Sequence, residues 1–388
     1  MIAEHIARKM AGGSMIRRMF EEGNRLRQQF GAENVYDFSI GNPDAEPPRE
    51  VLAALQGLAD QPNIHKYMPN AGHEDVRAAV AMQEGQRAGV PLTARHVIMT
   101  VGAAGGLNAA LKAILNPGEE VIVIAPYFVE YFSYIDNHGG VPVVVKADPT
   151  TFLPDAEAVA AAVTPRTKAI ILNSPHNPTG VVYDRGTLQA LADALERRQA
   201  ELGRAVYVLS DEPYTRLLYE GEAVPILSLF RNGIVVNSFS KSLSLPGERI
   251  GYLAVNPSCD DSESLLDALA YTNRVLGYVN APSLFQKAVA AALTAGINID
   301  EYRTRRDLLY GCITGLGMEC VKPAGAFYLF PKVPGGDDLA FTDKAAAEHI
   351  LVVPGSGFGW PGHVRLAYCV GRDTIERSFP AWERLLRG

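Results

Sequence analysis

The sequence predicts an α/β fold with a large domain, built on a mainly parallel seven-stranded sheet covered by helices, and a smaller α+β domain built from both chain ends. The first observation is a series of seven short apolar runs in the middle of the chain, several of them separated by helical patterns. This alternation is typical of parallel sheets that carry helices on their faces. The second observation is that further helical patterns lie outside this series, toward both termini.

The apolar runs are expected to form the strands of the large sheet. They are 96–101, 120–125, 141–145, 168–172, 205–209, 233–236 and 251–255. Helices outside the large domain are expected at 14–30, 284–293, 301–316 and 344–349. We therefore assign residues 46–282 to the large domain, and residues 1–45 and 283–388 to the two parts of the smaller domain.

Charge and hydropathy exclude two classes of function. The chain has 36 Lys and Arg against 43 Asp and Glu, for a net charge of -7 with the signs interspersed, so nucleic-acid binding is not expected. The charged segment 15–29 carries Glu21 and Glu22 beside its arginines and is interpreted as a small-domain helix rather than a DNA-binding one. No apolar run approaches the roughly 18 residues that a membrane span requires, so no membrane association is expected.

The four cysteines show neither a CxxC pair nor the spacing of metal ligands. No metal site is predicted. Residues 1–20 scatter charges among their apolar residues and contain no signal-peptide core. We expect reduced thiols in a soluble, cytoplasmic protein.

Polar and glycine-rich segments follow the predicted strands directly. They are 102–106, 126–128, 173–180, 211–214 and 238–241. In open α/β sheets, ligands bind in the crevice beyond the carboxyl ends of the strands. A binding site is therefore expected along this edge of the sheet.

Two of these segments suggest a phosphate site. Gly102, Ala103 and Ala104 close a strand and open an Ala-rich helix, which directs backbone N–H groups and the positive helix end toward an anion. The segment matches neither GxGxxG nor a Walker A loop, so a purely structural turn is an equal alternative. Ser238 and Ser240 follow another strand and add hydroxyl groups.

Lys241 comes directly after these hydroxyls, and Arg249 lies close to it in sequence. An arginine and hydroxyls can hold a phosphate, and a lysine at a strand end can then form a Schiff base with an aldehyde held by that phosphate. Asp211 ends a different strand, where a partly buried carboxylate requires a partner. Taken singly, Lys241 would be interpreted as a surface charge and Asp211 as a helix cap.

Six motifs extend this pattern along the chain. They are 67–72, 126–128, 173–180, 210–214, 238–241 with 249–252, and 364–367. In these motifs and their order the sequence resembles the fold-type I pyridoxal-phosphate (PLP) enzymes of the class I/II aminotransferase family, over nearly its whole length. The family's fold agrees with the one predicted above.

The resemblance implies a role for each residue around the cofactor ring. Lys241 would hold PLP as a Schiff base and later move the proton between the substrate Cα and the cofactor. Asp211 would pair with the pyridine nitrogen and keep the ring an electron sink. Asn177 and Tyr214 would bond the phenolic oxygen, and Phe128 would stack on the ring. Without the resemblance, Asn177 before a proline would simply form a turn.

The resemblance also implies phosphate, substrate and subunit contacts. The phosphate ligands would be the Ala103 and Ala104 amides, Ser238, Ser240 and Arg249, with Tyr67 reaching in from the other subunit of a homodimer. Gly41 would lie in a substrate-side loop, and Arg365 would bind the substrate α-carboxylate. Arg274 lies near the stretch where dicarboxylate-specific relatives place an arginine, but not in clear register, so a surface or interface role is favoured.

The predicted reaction is a ping-pong exchange of the amino group between an L-amino acid and a 2-oxo acid. Two alternatives stay open. The first is a PLP-dependent carbon-sulfur β-lyase of the same fold, and the second is a PLP-sensing regulator without turnover. The sequence does not identify the amino donor.

Overall fold

The computed structural model describes residues 2–11 and 15–387. Its strands are β1 (Tyr36–Asp37), β2 (Val97–Thr100), β3 (Glu120–Ala125), β4 (Val141–Lys146), β5 (Thr167–Asn173), β6 (Tyr207–Asp211), β7 (Gly233–Ser238), β8 (Gly251–Val255), β9 (Tyr328–Leu329), β10 (Ile350–Leu351), β11 (Val353–Pro354) and β12 (Val364–Ala367). Its helices are α1 (Glu4–Ala11), α2 (Met15–Phe30), α3 (Arg49–Leu58), α4 (Glu74–Ala88), α5 (Gly102–Ile114), α6 (Tyr131–Asp136), α7 (Ala156–Ala162), α8 (Arg185–Leu202), α9 (Phe239–Ser242), α10 (Ser262–Asn273), α11 (Ser283–Ala291), α12 (Ile299–Gly315), α13 (Asp338–Ala347) and α14 (Arg372–Arg387).

The large sheet consists of seven strands in the order β2-β8-β7-β6-β5-β3-β4. Strand β8 runs antiparallel to both of its neighbours, and the remaining pairs are parallel. The mainly parallel seven-stranded sheet is thus confirmed, and each strand overlaps one predicted apolar run. The run predicted at 205–209 lies two residues too early, because the strand continues to Asp211.

Both faces of the sheet are covered by helices, which explains why its strands are apolar runs rather than alternating patterns. Successive side chains of a strand point to opposite faces. In β3, Val121 and Val123 pack in the core that includes α5, α6 and α10, whereas Ile122 and Ile124 pack in the core that includes α7 and α8.

The smaller α+β body combines both ends of the chain. Strand β1 pairs in parallel with β10, which places Tyr36 opposite Ile350. Strands β11, β12 and β9 form an antiparallel sheet beside them. Helix α2 packs through Met19 and Leu26 in the same small core as Leu351. The domain boundaries at residues 45 and 282 stay predictions.

Three of the four helices predicted outside the large domain agree with α2, α11 and α12 to within two residues at each end; Ser14, the predicted start of the first, lies outside the described residues. The fourth prediction, 344–349, has the wrong bounds. Helix α13 begins at Asp338 because the Asp337 side chain caps it by accepting from the Ala340 N–H, and an Asp cap is a common start signal. It ends before His349, whose φ of 60° is not helical. Within the described ranges, no helix is both long and apolar enough to cross a membrane.

Candidate active site

A cavity of about 650 Å³ opens at the carboxyl edge of the large sheet, next to residues of the smaller body. The strands β5, β6 and β7 end at this edge, and α5 begins there. Most of the site residues predicted from the sequence line this cavity: Gly41, Ala103, Ala104, Phe128, Asn177, Asp211, Tyr214, Ser238, Ser240, Lys241, Arg249 and Arg365. Segments far apart in sequence therefore meet in one place.

Two predicted residues do not line the cavity. Gly102 lies beside it with φ of 68°, and a Cβ at this position would lie 3.0 Å from Arg249 Nη2. Glycine therefore permits both this backbone conformation and the close approach of the guanidinium. Tyr67 lies in a separate surface depression and is 91% exposed.

Lys241 lines the cavity from the short helix α9 and is partly buried. Its Nζ donates a hydrogen bond to the Gly41 carbonyl oxygen at 2.7 Å and lies 5.5 Å from the centroid of the Phe327 ring. Burial lowers the pKa of Lys241 to about 8, and the nearby cations Arg365 and Arg249 act in the same direction. With this pKa, roughly a tenth to a fifth of the amine is neutral near physiological pH, far more than for an exposed lysine, and the neutral form is the one that acts as nucleophile or base.

Asp211, at the end of β6, has one carboxylate oxygen paired and one free. Its Oδ2 accepts a hydrogen bond from the Tyr131 hydroxyl at 2.6 Å, whereas Oδ1 is buried and has no hydrogen-bond partner among the described residues. Burial raises the pKa of Asp211 to about 7. The hydrogen bond from Tyr131 acts to lower this pKa, and the charge of Glu212 acts to raise it. A cationic N–H donor in the cavity would satisfy Oδ1 and stabilise the ionised carboxylate.

Two asparagines connect the ends of β5 and β6. Asn173 donates from Nδ2 to the Asp211 carbonyl oxygen at 2.8 Å, and its Oδ1 accepts from the Asn177 backbone N–H at 2.7 Å. These bonds hold the 173–180 loop against the strand that carries Asp211. The Asn177 side chain, in turn, accepts a hydrogen bond from Arg365 Nη1 at 3.2 Å through its Oδ1.

Arg365 is 3% exposed, and none of the described carboxylates forms an ion pair with it. Its Nη2 donates to the Ser39 carbonyl oxygen at 2.6 Å, while Nε is buried without a partner among the described residues. The guanidinium carbon lies 4.8 Å from the Tyr328 ring centroid and 5.0 Å from that of Phe358. A buried arginine without an ion-pair partner among the described residues is suited to bind an external carboxylate.

A second group of lining residues is suited to an anion. Ser238 Oγ donates to Ser240 Oγ at 2.7 Å, so the two hydroxyls lie side by side. Arg249 donates from Nη1 to the Pro246 carbonyl oxygen at 2.9 Å and lies near the start of α5. Hydroxyls, a guanidinium and a helix N-terminus together provide the donors that a phosphate requires.

Sequence reasoning missed five polar residues of the cavity or its wall: Glu130, Tyr131, Tyr134, Asn173 and Tyr328. Tyr131 had a detectable signal, because it follows the predicted ring-stacking residue Phe128 by three positions, and its ring lies 5.6 Å from that ring. Asn173 belongs to a motif that the sequence analysis used. Tyr328 had no such signal, since it reaches the site from β9 in the smaller body, where its hydroxyl lies 2.9 Å from that of Tyr214.

Comparisons with known proteins agree on one family. A family model described as aminotransferase class I and II matches residues 33–378. The aspartate/prephenate aminotransferase of Thermus thermophilus is 36% identical over 362 residues, which covers 90% of this chain and 90% of the relative. The probable N-acetyl-LL-diaminopimelate aminotransferase of Bacillus subtilis is 34% identical over 363 residues, covering 90% of this chain and 89% of the relative.

A solved structure supports the same assignment. The amino transferase of Eubacterium rectale superposes on this chain with a TM-score of 0.96 at 40% sequence identity, covering 100% of this chain and 98% of that structure. The similarity therefore includes the large sheet, the smaller body and the cavity between them.

Proposed function

The chain belongs to the class I and II aminotransferases, and on this premise we propose that Lys241, Asp211 and Arg365 carry the amino-group transfer in the cavity. The family is PLP-dependent and acts on amino acids and 2-oxo acids. The relatives described above are named aminotransferases, which favours transfer over the β-lyase and the PLP-sensing regulator.

The cavity residues fit PLP at each of its polar groups. When bound, the cofactor supplies an electron sink for the negative charge that develops at the substrate Cα. The free Oδ1 of Asp211 matches the ring nitrogen, and burial of this carboxylate makes a cationic partner favourable. Ser238, Ser240 and Arg249 would hold the phosphate together with the α5 N-terminus.

The residues on the substrate side perform three tasks. Arg365 binds the α-carboxylate through its guanidinium fork, which fixes the orientation of the Cα–H bond. Lys241 Nζ removes that proton and returns it, because a neutral amine with a pKa of about 8 can act in both directions near neutral pH. Phe128 forms an apolar wall, and Tyr214, whose hydroxyl contacts that of Tyr328, would donate a hydrogen bond to the cofactor's phenolic oxygen.

The observation that carries this proposal is the meeting of three groups in one cavity. They are a partly buried lysine of lowered pKa, an aspartate with one unpaired oxygen, and an arginine that has no ion pair among the described residues. We expect Lys241→Ala to bind PLP through the remaining contacts, yet to lose turnover and borohydride-stable attachment of the cofactor. Activity is measured as 2-oxo acid formed from an amino acid in the presence of a second 2-oxo acid. Wild-type rates in Lys241→Ala, or release of pyruvate and ammonia without an amino acceptor, would contradict the proposal.

We also propose a cytoplasmic homodimer whose active sites are shared between subunits. Tyr67 lines a separate surface depression rather than the cavity and is highly exposed, which supports a role for its hydroxyl in a partner's phosphate site. Free thiols at all four cysteines support a reducing compartment.

A further inference from the structure

Glu130 is a charged residue of the cavity that the proposed mechanism leaves unused. The other charged residues lining the cavity are Asp211, Lys241, Arg249 and Arg365, and each has a role toward the cofactor or the α-carboxylate. Glu130 is partly exposed and directly precedes α6, but its side chain does not cap that helix. Among the described residues, its carboxylate has no hydrogen-bond or ion-pair partner.

The charge of Glu130 acts inside the cavity. Burial raises the pKa of Tyr134, and the Glu130 carboxylate is the largest of the nearby charges that raise it further. Tyr134 lies one helical turn after Glu130 and lines the same cavity. Glu130 therefore lines space that a bound substrate can enter, and its carboxylate is not used to cap the helix that follows it.

The remaining walls around this carboxylate are largely apolar. Ile40, Leu107, Phe128 and Tyr134 line the cavity with hydrophobic atoms. A side chain with a methylene stem and a charged end can place the stem along such walls and keep its charge at the polar group. The cavity thus combines an apolar channel with one negative charge.

The cations in the cavity are already assigned. Arg365 takes the α-carboxylate, Arg249 the phosphate, and Lys241 must be neutral to act. Among the described residues of this subunit, no further cation lines the cavity for a second carboxylate on the substrate. A distal carboxylate would meet Glu130 instead, and like charges in close contact are destabilising.

We propose that Glu130 is a specificity-determining residue that selects amino donors whose side chain ends in an amine or guanidinium. This inference rests on the proposed function, because it requires that the amino acid binds in this cavity with its α-carboxylate at Arg365. It separates this chain from relatives named for aspartate.

The test compares three donors with the same carbon stem: lysine, norleucine and 2-aminoadipate. Their side chains end in an amine, a methyl group and a carboxylate. The first half-reaction is followed by the cofactor spectrum in single turnovers of the holoenzyme. In the wild type, we expect lysine to be favoured over norleucine roughly tenfold to a hundredfold, as a charge-assisted hydrogen bond provides, with 2-aminoadipate slowest.

Glu130→Gln keeps the size of the side chain and removes its charge. We expect it to lower the lysine-to-norleucine ratio of kcat/KM at least tenfold, and to raise the rate with 2-aminoadipate. Asp136→Asn is the matched control, since Asp136 ends the same helix, pairs with Lys9 and lies outside the cavity. It should leave all three ratios unchanged.

A second measurement separates binding from chemistry. The acids 6-aminohexanoate, hexanoate and adipate match the three donors but lack the reacting amino group, so they report affinity only, as competitive inhibitors. Glu130→Gln should weaken the binding of 6-aminohexanoate, strengthen that of adipate and leave that of hexanoate unchanged.

A ratio that changes less than threefold in Glu130→Gln would refute the selection. A wild-type preference for 2-aminoadipate that disappears in Arg274→Ala would also refute it. The end of the substrate side chain would then be bound by a cationic residue, Arg274, rather than by Glu130. Failure of the proposed function has a different signature: no donor would change the cofactor spectrum, in any of the variants or the wild type.

Discussion

At the scale of single residues, burial moves two pKa values in the cavity toward neutrality. The amine of Lys241 falls from its ordinary pKa of 10.5 to about 8, and the carboxyl of Asp211 rises from 3.8 to about 7. In both cases desolvation of the charged form is the largest cause. Both groups therefore gain or lose protons close to physiological pH, where a surface lysine or aspartate would not.

This shift predicts how covalent incorporation of PLP depends on pH. Only the neutral amine of Lys241 attacks the aldehyde, so the initial rate should rise with pH and level off above a midpoint near pH 8. The same shift affects folding. The pKa of Lys241 in the folded protein lies below its unfolded value of 10.5, so protonation favours the unfolded chain. The contribution of Lys241 to the stability of the cofactor-free protein therefore falls as pH decreases from 10.5 through 8.

The rate is measured by rapid borohydride trapping and intact-mass analysis from pH 6.5 to pH 10. Lys241→Ala is the control for attachment at other lysines. A rate that continues to increase up to pH 10 would show that the amine keeps the pKa of an exposed lysine.

At the scale of elements, a buried ion network joins α4 to the end of β6. Arg87 Nη2 donates to Glu84 at 2.7 Å and to Glu212 at 2.6 Å, and the two carboxylates are only 5% and 2% exposed. The hydroxyls of Tyr252 and Ser210 donate to the remaining oxygens of Glu84 and Glu212, respectively. Glu212 follows Asp211 directly, so this network holds the strand end that carries the Asp211 carboxylate.

Replacing Arg87 by methionine should be strongly destabilising, because two buried carboxylates lose their counter-ion. Breaking such a buried pair costs about 3 to 5 kcal/mol. The free energy of unfolding is measured by urea titration at a fixed protein concentration. Arg95→Met is the matched control: its partners Glu263 and Asp267 are 74% and 72% exposed, so the loss should stay below about 1 kcal/mol. Equal losses in the two variants would contradict a structural role for the network.

At the scale of the whole molecule, the cavity depends on segments from both ends of the chain. Gly41 comes from the N-terminal part, Tyr328 and Arg365 come from the C-terminal part, and the Arg365 guanidinium bonds the Ser39 carbonyl. In the proposed mechanism, the smaller body therefore supplies the residues of the substrate side, and the large domain supplies those of the cofactor side. A movement of the smaller body relative to the large sheet would therefore change the distances between the residues that line the cavity.

The proposed sharing of sites predicts complementation between subunits. In a mixed dimer of Lys241→Ala and Tyr67→Ala, one of the two sites would contain an intact Lys241 and an intact Tyr67. Random exchange of subunits should then restore about a quarter of the wild-type activity, measured at limiting PLP. Mixtures of each variant with itself are the controls. If the mixture is no more active than its components, or if sedimentation shows an active monomer, the shared site is refuted.

The sequence by itself determined the large sheet and the residues at its carboxyl edge. Both are local signals, since apolar runs mark buried strands and the segments after them carry Asp211, Asn177 and Lys241. Only the tertiary structure decided how these groups are paired. The bond from Tyr131 to Asp211 and the contact between Tyr214 and Tyr328 join residues 80 and 114 positions apart, and no sequence periodicity relates them. The place of Glu130 in the cavity lining was likewise decided by the fold. Packing sets such contacts and the burial that shifts the pKa values with them, and neither can be read from one segment alone.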